Sequence, residues 1–311
     1  MEYIYRGKYY FSKLSLGTVQ LGIDYGISNA GGKPSPVVAR SILEMACRAG
    51  INTVDTSESY GSAERLIGEF LAPNATQYPI NVVTKFKVNK PASYSTDHLR
   101  NEISRSLQSS LKNLGLKKIP IYLFHAGKDD QLAKLIEPLS VIFRELRDHG
   151  LIDIAGISAY SPEDVDFVLA HDVVEAVQLP INIFDHRLIN DGRLEKLEKH
   201  NKIVFARSIF LQGLVLMSPV EVPGNLHEAE PFLLELQHLS KEAGRSIAEL
   251  AFAFVNELKA VTSIVFGAVN IDQVRDNVAL LQTPPLAPGI RELVMKTFAN
   301  VPERIVTPGL W

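Results

Sequence analysis

The feature of this sequence that most constrains its fold is a regular alternation of short apolar runs with amphipathic segments of helical spacing. The apolar runs, predicted as strands, span residues 14–17, 51–55, 81–85, 119–124, 152–157, 176–179, 203–206 and 263–266. The helical segments span residues 37–49, 63–71, 97–114, 132–149, 162–170, 193–200, 247–258 and 272–280. Such alternation predicts a parallel sheet that is covered by helices.

Eight strand-helix units in 311 residues match the size of a closed α/β barrel, the (β/α)8 TIM barrel. A doubly wound open sheet is the alternative, but residues 16–22 lack the G-x-G-x-x-G turn that usually follows its first strand. Residues 3–11 predict an N-terminal β-hairpin, and residues 210–243 predict a long loop after strand seven. Because no linker-like segment interrupts the pattern, we expect residues 1–311 to form a single domain.

The composition argues against several classes of function. The net charge is -3 and Lys and Arg form no block, so the sequence gives no indication of nucleic-acid binding. No apolar run approaches the ~20 residues that span a bilayer, and the first ten residues lack an apolar signal core, which predicts a cytoplasmic protein. The single cysteine, Cys47, excludes a disulfide framework and is predicted to be a core thiol.

Ionisable side chains stand at the ends of successive predicted strands. Within residues 53–61, Asp55 ends the second strand and Tyr60 follows five residues later. Lys85 ends the third strand and His125 the fourth. Since the carboxyl ends of barrel strands share one rim, we expect these four side chains to lie close together.

Each of the four residues has a structural interpretation as well. Asp55 could cap a helix or pair with Lys85, Tyr60 could be a packing aromatic, and His125 could be a buried core histidine. Their joint position at successive strand ends favours a catalytic site. The histidines show no H-x-x-x-H spacing, so no metal site is predicted.

These four residues resemble the Asp/Tyr/Lys/His tetrad of the aldo/keto reductase superfamily. The resemblance lies in Asp-Thr-x-x-x-Tyr-Gly around Asp55 and Tyr60, in Val-Thr-Lys at Lys85, and in His125 after an apolar strand. It covers nearly the whole chain. It implies NAD(P)H-dependent reduction of an aldehyde or ketone, sugar-like or otherwise polar, to an alcohol.

The chemistry of carbonyl reduction suits these residue types. Hydride transfer develops negative charge on the carbonyl oxygen, which calls for a proton donor and nearby positive charge. We expect Tyr60 to be the general acid, its pKa lowered by Lys85, with Asp55 holding the lysine and His125 orienting the carbonyl.

The resemblance also implies a nicotinamide nucleotide, with NADPH as the default and NADH as the alternative. The residues expected to bind it are Gly17, Thr18, Asp55, Ser158, Gln178, Arg207, Ser208, Leu211, Gln212, Gly213, Gly267, Ala268, Gln273 and Asn277. Near Gly267 the family usually has basic contacts for a 2'-phosphate. This chain has Val269, Asn270 and Gln273 there with Arg275 close by, which weakens the case for NADPH.

Two positions depart from the family pattern. Ala159 stands where an asparagine usually follows the serine, which removes one amide contact. Arg207 stands where an aromatic residue usually stacks on the nicotinamide. Its planar guanidinium could stack in the same way or hold an anionic or polyhydroxy substrate.

The substrate is expected to be a small carbonyl compound. A mixed polar and aromatic set of residues is predicted to reach the barrel mouth, namely Asp24, Tyr25, Phe86, His186, Arg187 and Trp311. This set favours a sugar or polar aldehyde over a steroid. Two other functions remain open: a nucleotide-binding regulatory subunit with little turnover, and a lyase or isomerase on the same barrel. The oligomeric state is not predicted.

Overall fold

The computed structural model describes residues 1–29, 31–88, 95–127 and 132–311. Strands β1 (Tyr3–Arg6) and β2 (Tyr9–Ser12) form the predicted antiparallel hairpin. The parallel strands that follow are β3 (Leu14–Gly17), β4 (Thr53–Asp55), β5 (Asn81–Phe86), β6 (Ile119–His125), β7 (Ile152–Ser158), β8 (Val174–Pro180), β9 (Ile203–Arg207) and β10 (Val261–Gly267). Each strand pairs with the next and β10 pairs with β3, so the sheet closes and the predicted (β/α)8 barrel is confirmed.

Helices surround this barrel. They are α1 (Val19–Gly22), α2 (Pro36–Arg48), α3 (Ala63–Asn74), α4 (Thr96–Leu114), α5 (Leu132–Asp148), α6 (Pro162–Ala170), α7 (Arg187–Asn190), α8 (Arg193–Lys199), α9 (Glu230–Ala243), α10 (Ile247–Asn256), α11 (Ile271–Ala279), α12 (Pro288–Thr297) and α13 (Glu303–Val306). Several begin at side-chain caps. Ser161 with Asp164, and Ser246 with Glu249, form capping boxes that satisfy the first backbone amides of α6 and α10.

The segment predicted as a long loop after strand seven is only partly a loop. Short 3-10 helices follow β9 at Leu211–Leu216, Pro219–Glu221 and Gly224–Ala229, and α9 comes directly after the last of them. The helix forms because Leu233, Leu236 and Leu239 recur at helical spacing and are buried. Gly244 ends α9 in the left-handed conformation that favours glycine.

The core has two layers because successive strand residues point to opposite faces of the sheet. Val83 and Leu123 belong to the inner cluster that fills the barrel. Phe11, from the hairpin, lies edge-on against Phe205 at 5.6 Å between ring centres and is fully buried. The hairpin therefore closes the amino-terminal end of the barrel, and the opposite end is free to carry a site.

Three findings bear on other functions. None of the helices in the described ranges combines the length and apolar character needed to cross a membrane. Within those same ranges, no three His, Cys, Asp or Glu residues cluster in a way that could bind a metal ion. Cys47 lies in the core, where burial raises the pKa of its thiol to about 12.

Candidate active site at the carboxyl end of the barrel

Strand alternation decides which side chains enter the barrel. On β5, Val83 belongs to the inner cluster, so Lys85, two residues later, points to the same interior. On β6, Leu123 and His125 share the inner face in the same way. The four residues predicted to share one rim are therefore brought together at the carboxyl end.

A buried ion pair lies at the centre of the site. The Lys85 Nζ atom is 2.8 Å from each carboxylate oxygen of Asp55, and it donates another hydrogen bond to the Thr56 carbonyl oxygen at 2.8 Å. Lys85 is fully buried and Asp55 is 4 % exposed. Burial lowers the pKa of Lys85, and the Asp55 carboxylate opposes that change.

Backbone contacts hold the Asp55 turn in place. The Asp55 carbonyl oxygen accepts hydrogen bonds from the Thr18 amide at 2.9 Å and from the Thr18 hydroxyl at 3.0 Å. The Lys85 carbonyl oxygen accepts two more, from the Ser57 hydroxyl and the Glu58 amide, both at 3.2 Å. The loop that carries Tyr60 is thereby tied to the strands on both sides.

Tyr60 faces both the lysine and the histidine. Its ring centre is 5.0 Å from Lys85 Nζ, a cation-π distance, and 6.2 Å from the His125 ring in an edge-to-face arrangement. A phenol acid, an ammonium group and an imidazole therefore converge on the same part of the barrel mouth.

The pKa of Tyr60 differs from the sequence-based expectation. Burial raises it above its usual value, the negative charge of Asp55 adds to this effect, and the Arg207 guanidinium opposes it. The expectation of a lowered pKa was wrong because the burial of Tyr60 outweighs the nearby positive charge. Lys85 is paired with Asp55, as expected, and Arg207 is the cation that opposes the rise in the Tyr60 pKa.

His125 is neutral in this site. Burial, together with the positive charges of Lys85, Lys87 and Arg207, lowers its pKa to about 2. Its Nδ1 atom is buried and has no hydrogen-bond partner within the part of the chain that the structure describes. A neutral imidazole can offer one N–H donor to a ligand oxygen at physiological pH.

Two residues predicted to bind the nucleotide form a chain that leads to Asp55. The Ser158 hydroxyl donates to Gln178 Oε1 at 3.2 Å, and Gln178 Nε2 donates to Asp55 Oδ1 at 2.7 Å. Sequence reasoning missed the contact between Gln178 and Asp55. No local pattern could have revealed it, because the two residues are 123 positions apart.

A cavity of about 750 Å³ opens beside these residues. It starts at Asp55, Tyr60 and His125 and reaches α11 on the outside of the barrel. The predicted nucleotide-binding residues that line it are Gly17, Thr18, Asp55, Gln178, Arg207, Ser208, Gln212, Gly213, Gly267, Gln273 and Asn277. Ser158, Leu211 and Ala268 are buried and lie outside the lining. The size is in the range of small-molecule and cofactor pockets.

Other lining residues had escaped prediction, among them Gln20, Tyr160 and Asp276. Gln20 packs so closely on Gly267 that a Cβ atom there would lie 2.4 Å from its amide nitrogen. Asp276 immediately precedes the predicted residue Asn277 on α11, and that neighbourhood was the available signal.

Arg207 lies at the mouth of this cavity. Its guanidinium carbon is 4.5 Å from the centre of the Tyr160 ring. One nitrogen donates to the Ala159 carbonyl oxygen at 3.1 Å, and another to the Ser208 hydroxyl at 3.3 Å. Ala159, which stands where the family usually has asparagine, thus accepts a hydrogen bond from Arg207 through its backbone carbonyl oxygen.

Of the residues predicted to contact substrate, Tyr25 lines the cavity. Phe86 does not, because β5 is one residue longer than predicted and its last side chain points outward. There Phe86 is fully buried against Tyr122, with 4.7 Å between ring centres. The expectation that Phe86 reaches the mouth is therefore corrected.

Of the remaining substrate predictions, that for His186 is corrected because the residue is buried, and those for Asp24, Arg187 and Trp311 stay predictions. His186 is buried and tilted against Phe254 at 5.2 Å, so its ring serves packing. The Trp311 indole donates to the Arg304 carbonyl oxygen at 2.8 Å. Asp24 accepts from the Lys33 amide at 2.7 Å. Arg187 pairs with Asp185. All four lie outside the cavity lining.

Comparisons with known proteins agree with this geometry. The profile described as "Aldo/keto reductase family" matches residues 13–288. The chain is 26 % identical over 284 residues to an uncharacterized oxidoreductase, YqkF, of Bacillus subtilis, covering 86 % of this chain and 90 % of that protein. It is 24 % identical over 314 residues to the L-glyceraldehyde 3-phosphate reductase of Escherichia coli K12, covering 90 % and 88 %.

A solved structure shares the fold. The aldo-keto reductase AKR11C1 from Bacillus halodurans, in its holo form, superposes with a TM-score of 0.75 at 24 % identity, covering 98 % of this chain and 99 % of that one. The family profile extends over most of the sequence, and its barrel strands carry the ion pair, the phenol and the imidazole described above. The chain belongs to the aldo/keto reductase family and is an oxidoreductase.

Proposed function

We propose that this protein reduces an aldehyde or ketone to an alcohol, with Tyr60 as the general acid and a nicotinamide nucleotide as the hydride source. The observation that carries the proposal is the convergence of Tyr60, His125 and the Asp55–Lys85 ion pair at one end of a 750 Å³ cavity. A carbonyl placed there would meet a proton donor, a neutral imidazole donor and positive charge together.

The roles follow from the charges of these groups. In the reduction the carbonyl carbon accepts a hydride and the oxygen accepts the Tyr60 proton, so that C=O becomes CH–OH. Because its pKa is raised, Tyr60 holds its proton at neutral pH and can serve as an acid toward the more basic alkoxide. Arg207 stabilises the phenolate that remains, and His125 orients the carbonyl oxygen through an N–H donor.

Unsatisfied polar atoms in the cavity support a bound nucleotide. Gln20, His125 and Asn277 line the cavity, and each has a buried polar atom, Oε1, Nδ1 and Oδ1 respectively, with no hydrogen-bond partner among the described residues. Buried polar atoms without partners are costly, and a ligand with hydroxyl and amide groups would satisfy them. When bound, the nucleotide supplies the hydride.

The substrate class that we propose is a polar aldehyde or ketone. Arg207 gives the mouth a guanidinium group, Tyr25 gives it a phenol, and both line the cavity. Such a mouth suits an oxygen-rich or anionic compound better than an apolar one. One relative is named for the reduction of a phosphorylated aldehyde, L-glyceraldehyde 3-phosphate, which supports the same class.

The test follows oxidation of the reduced nucleotide by its absorbance in the presence of glyceraldehyde or a nitrobenzaldehyde. The wild type should consume nucleotide. Tyr60→Phe should lose about 10²-fold or more in kcat while its nucleotide affinity, measured by calorimetry, stays within about twofold. Retained turnover in Tyr60→Phe would overturn the assignment of the acid.

The same assay separates the alternatives. Tight nucleotide binding without turnover across a broad panel of carbonyl compounds would favour a regulatory subunit. Conversion of a substrate with no nucleotide present would favour a lyase or isomerase. The buried ion pair beneath Tyr60 argues for catalysis, because nucleotide binding alone does not require a lysine below the phenol.

A further inference from the structure

The two ends of the cavity differ in chemistry. One end holds Tyr60 and His125, where hydride transfer must occur under the proposed function. The other end is lined by residues of β10 and α11, from Gly267 to Leu280, outside the barrel. A dinucleotide that presented its nicotinamide to Tyr60 would therefore place its adenosine half against α11.

We propose that this far end selects a dinucleotide without a 2'-phosphate, so that the protein uses NADH in preference to NADPH, with Asp276 as a specificity-determining residue. The proposal rests on the proposed function. It replaces NADPH, which the family resemblance implied as the default nucleotide, with NADH. A 2'-phosphate adds nearly two negative charges and three strong acceptor oxygens, so its binding site needs cations or free N–H donors.

The far end offers no cation among the residues that the structure describes. Its lining residues are Gly267, Val269, Asn270, Gln273, Asp276, Asn277 and Leu280, which include a carboxylate and no Lys or Arg. Along the whole described lining, Arg207 is the single Lys or Arg, and it lies at the opposite end. Arg275 is adjacent in sequence, but it points outside the lining and pairs with Asp272 at 2.8 Å.

Backbone donors at the start of α11 are partly used as well. The Gln273 amide donates to Asn270 Oδ1 at 2.9 Å, and the Val269 amide donates to Gln273 Oε1 at 2.8 Å. Helix amino-termini bind phosphates through free amides of this kind. Here the side chains of Asn270, the residue before α11, and of Gln273 already accept hydrogen bonds from two amides at this end.

The unsatisfied atom at this end is an acceptor. Asn277 Nδ2 donates to the Gln273 carbonyl oxygen at 2.8 Å, and Asn277 Oδ1 is buried with no partner among the residues of the described ranges. A carbonyl oxygen can accept from a hydroxyl or amino group and repels a phosphate oxygen. The Asp276 carboxylate has the same preference, so both side chains match the ribose hydroxyls and adenine amino group of NADH.

Calorimetric titration of the full-length protein with NADH and with NADPH, at fixed ionic strength, tests the proposal without relying on turnover. NADH should bind at least about tenfold more tightly. Asp276→Asn should tighten NADPH about three- to tenfold, because a like charge is removed, and should weaken NADH slightly. Asp276→Arg should tighten NADPH further. Glu292→Gln, an exposed acid on α12 outside the lining, should leave both affinities unchanged.

The outcomes are distinct. NADPH binding as tightly as NADH in the wild type would overturn the selectivity while leaving the proposed reduction intact. An NADH preference that Asp276→Asn and Asp276→Arg leave unchanged would overturn the role of Asp276. Binding of neither nucleotide would overturn this proposal and the proposed function together.

Discussion

A Cβ atom at Gly22 would lie 1.7 Å from the carbonyl oxygen of Tyr60. The two backbone segments are close at a second point as well, since a Cβ atom at Gly61 would lie 2.6 Å from the carbonyl oxygen of Gly22. Gly61 also has φ of +56°, a conformation that side chains disfavour. The turn after β3 and the turn after β4 therefore pack backbone against backbone, and this packing fixes the position from which the Tyr60 side chain enters the site.

Gly22→Ala should displace Tyr60 and lower kcat for carbonyl reduction at least about tenfold, since small misplacements of a reacting group are costly. Overpacking should also destabilise the fold by about 1–3 kcal/mol. Gly224→Ala is the matched control, because nothing lies within 4 Å of a Cβ at that position. Steady-state kinetics and thermal melting check both effects, and equal kcat in the two variants would contradict the positional role of Gly22.

Lys85→Met should leave the Asp55 carboxylate buried without its cation. Breaking a buried pair in this way costs about 3–5 kcal/mol of stability. The double variant Asp55→Asn/Lys85→Met should lose less than the sum of the two single losses, because no uncompensated charge remains. Urea denaturation of the four proteins measures this coupling. Additive losses would show that the 2.8 Å contact does not stabilise the fold.

The pH dependence should show the raised pKa of Tyr60 and the lowered pKa of His125. Reduction needs protonated Tyr60, so kcat/KM should stay level from pH 6 to about 9 and fall only as the pH rises toward the Tyr60 pKa. The reverse oxidation needs the phenolate and should rise with pH over the same range. Since the pKa of His125 is about 2, no inflection near pH 6.5 is expected. An inflection there that disappears in His125→Gln would contradict the neutral-imidazole assignment.

Phe86→Leu should affect stability and not substrate binding. Phe86 is fully buried in the outer aromatic layer, so truncation should cost about 1–3 kcal/mol. Its KM for a polar aldehyde should remain within about twofold of the wild-type value. Tyr25→Leu is the companion variant, because Tyr25 lines the cavity and is 36 % exposed; it should raise KM with little loss of stability. If KM rose in Phe86→Leu and not in Tyr25→Leu, the result would contradict the outward position of the Phe86 side chain.

Local sequence patterns carried enough information to predict the barrel. Runs of apolar residues and helical spacing are properties of neighbouring residues, and they determine strands and helices largely on their own. The strand order and closure then follow from the parallel alternation, and the structure confirms both. The helix α9 was missed although Leu233, Leu236 and Leu239 have helical spacing, because the stretch was interpreted by its length as a loop.

The site was predictable to the extent that side chains follow strand ends. Asp55 and His125 each end a strand, Lys85 lies one residue before the end of β5, and Tyr60 follows in the turn after β4, so the four residues could be recognised from the sequence as candidates. The same rule misplaced Phe86. Because successive side chains point to opposite faces, an error of one residue in a strand end moves a side chain from the mouth to the outer face. Sequence patterns do not locate strand ends to within one residue.

The sequence by itself determined the alternating fold and the residue types at the rim, since both depend on short-range periodicity. Tertiary structure alone decided how those residues act on one another. Gln178 reaches Asp55 across 123 residues, Arg207 opposes the rise in the Tyr60 pKa that burial causes, and Asp276 lines the far end of the cavity. These relationships depend on distances, burial and neutralisation between distant segments, and such quantities exist only once the barrel has closed.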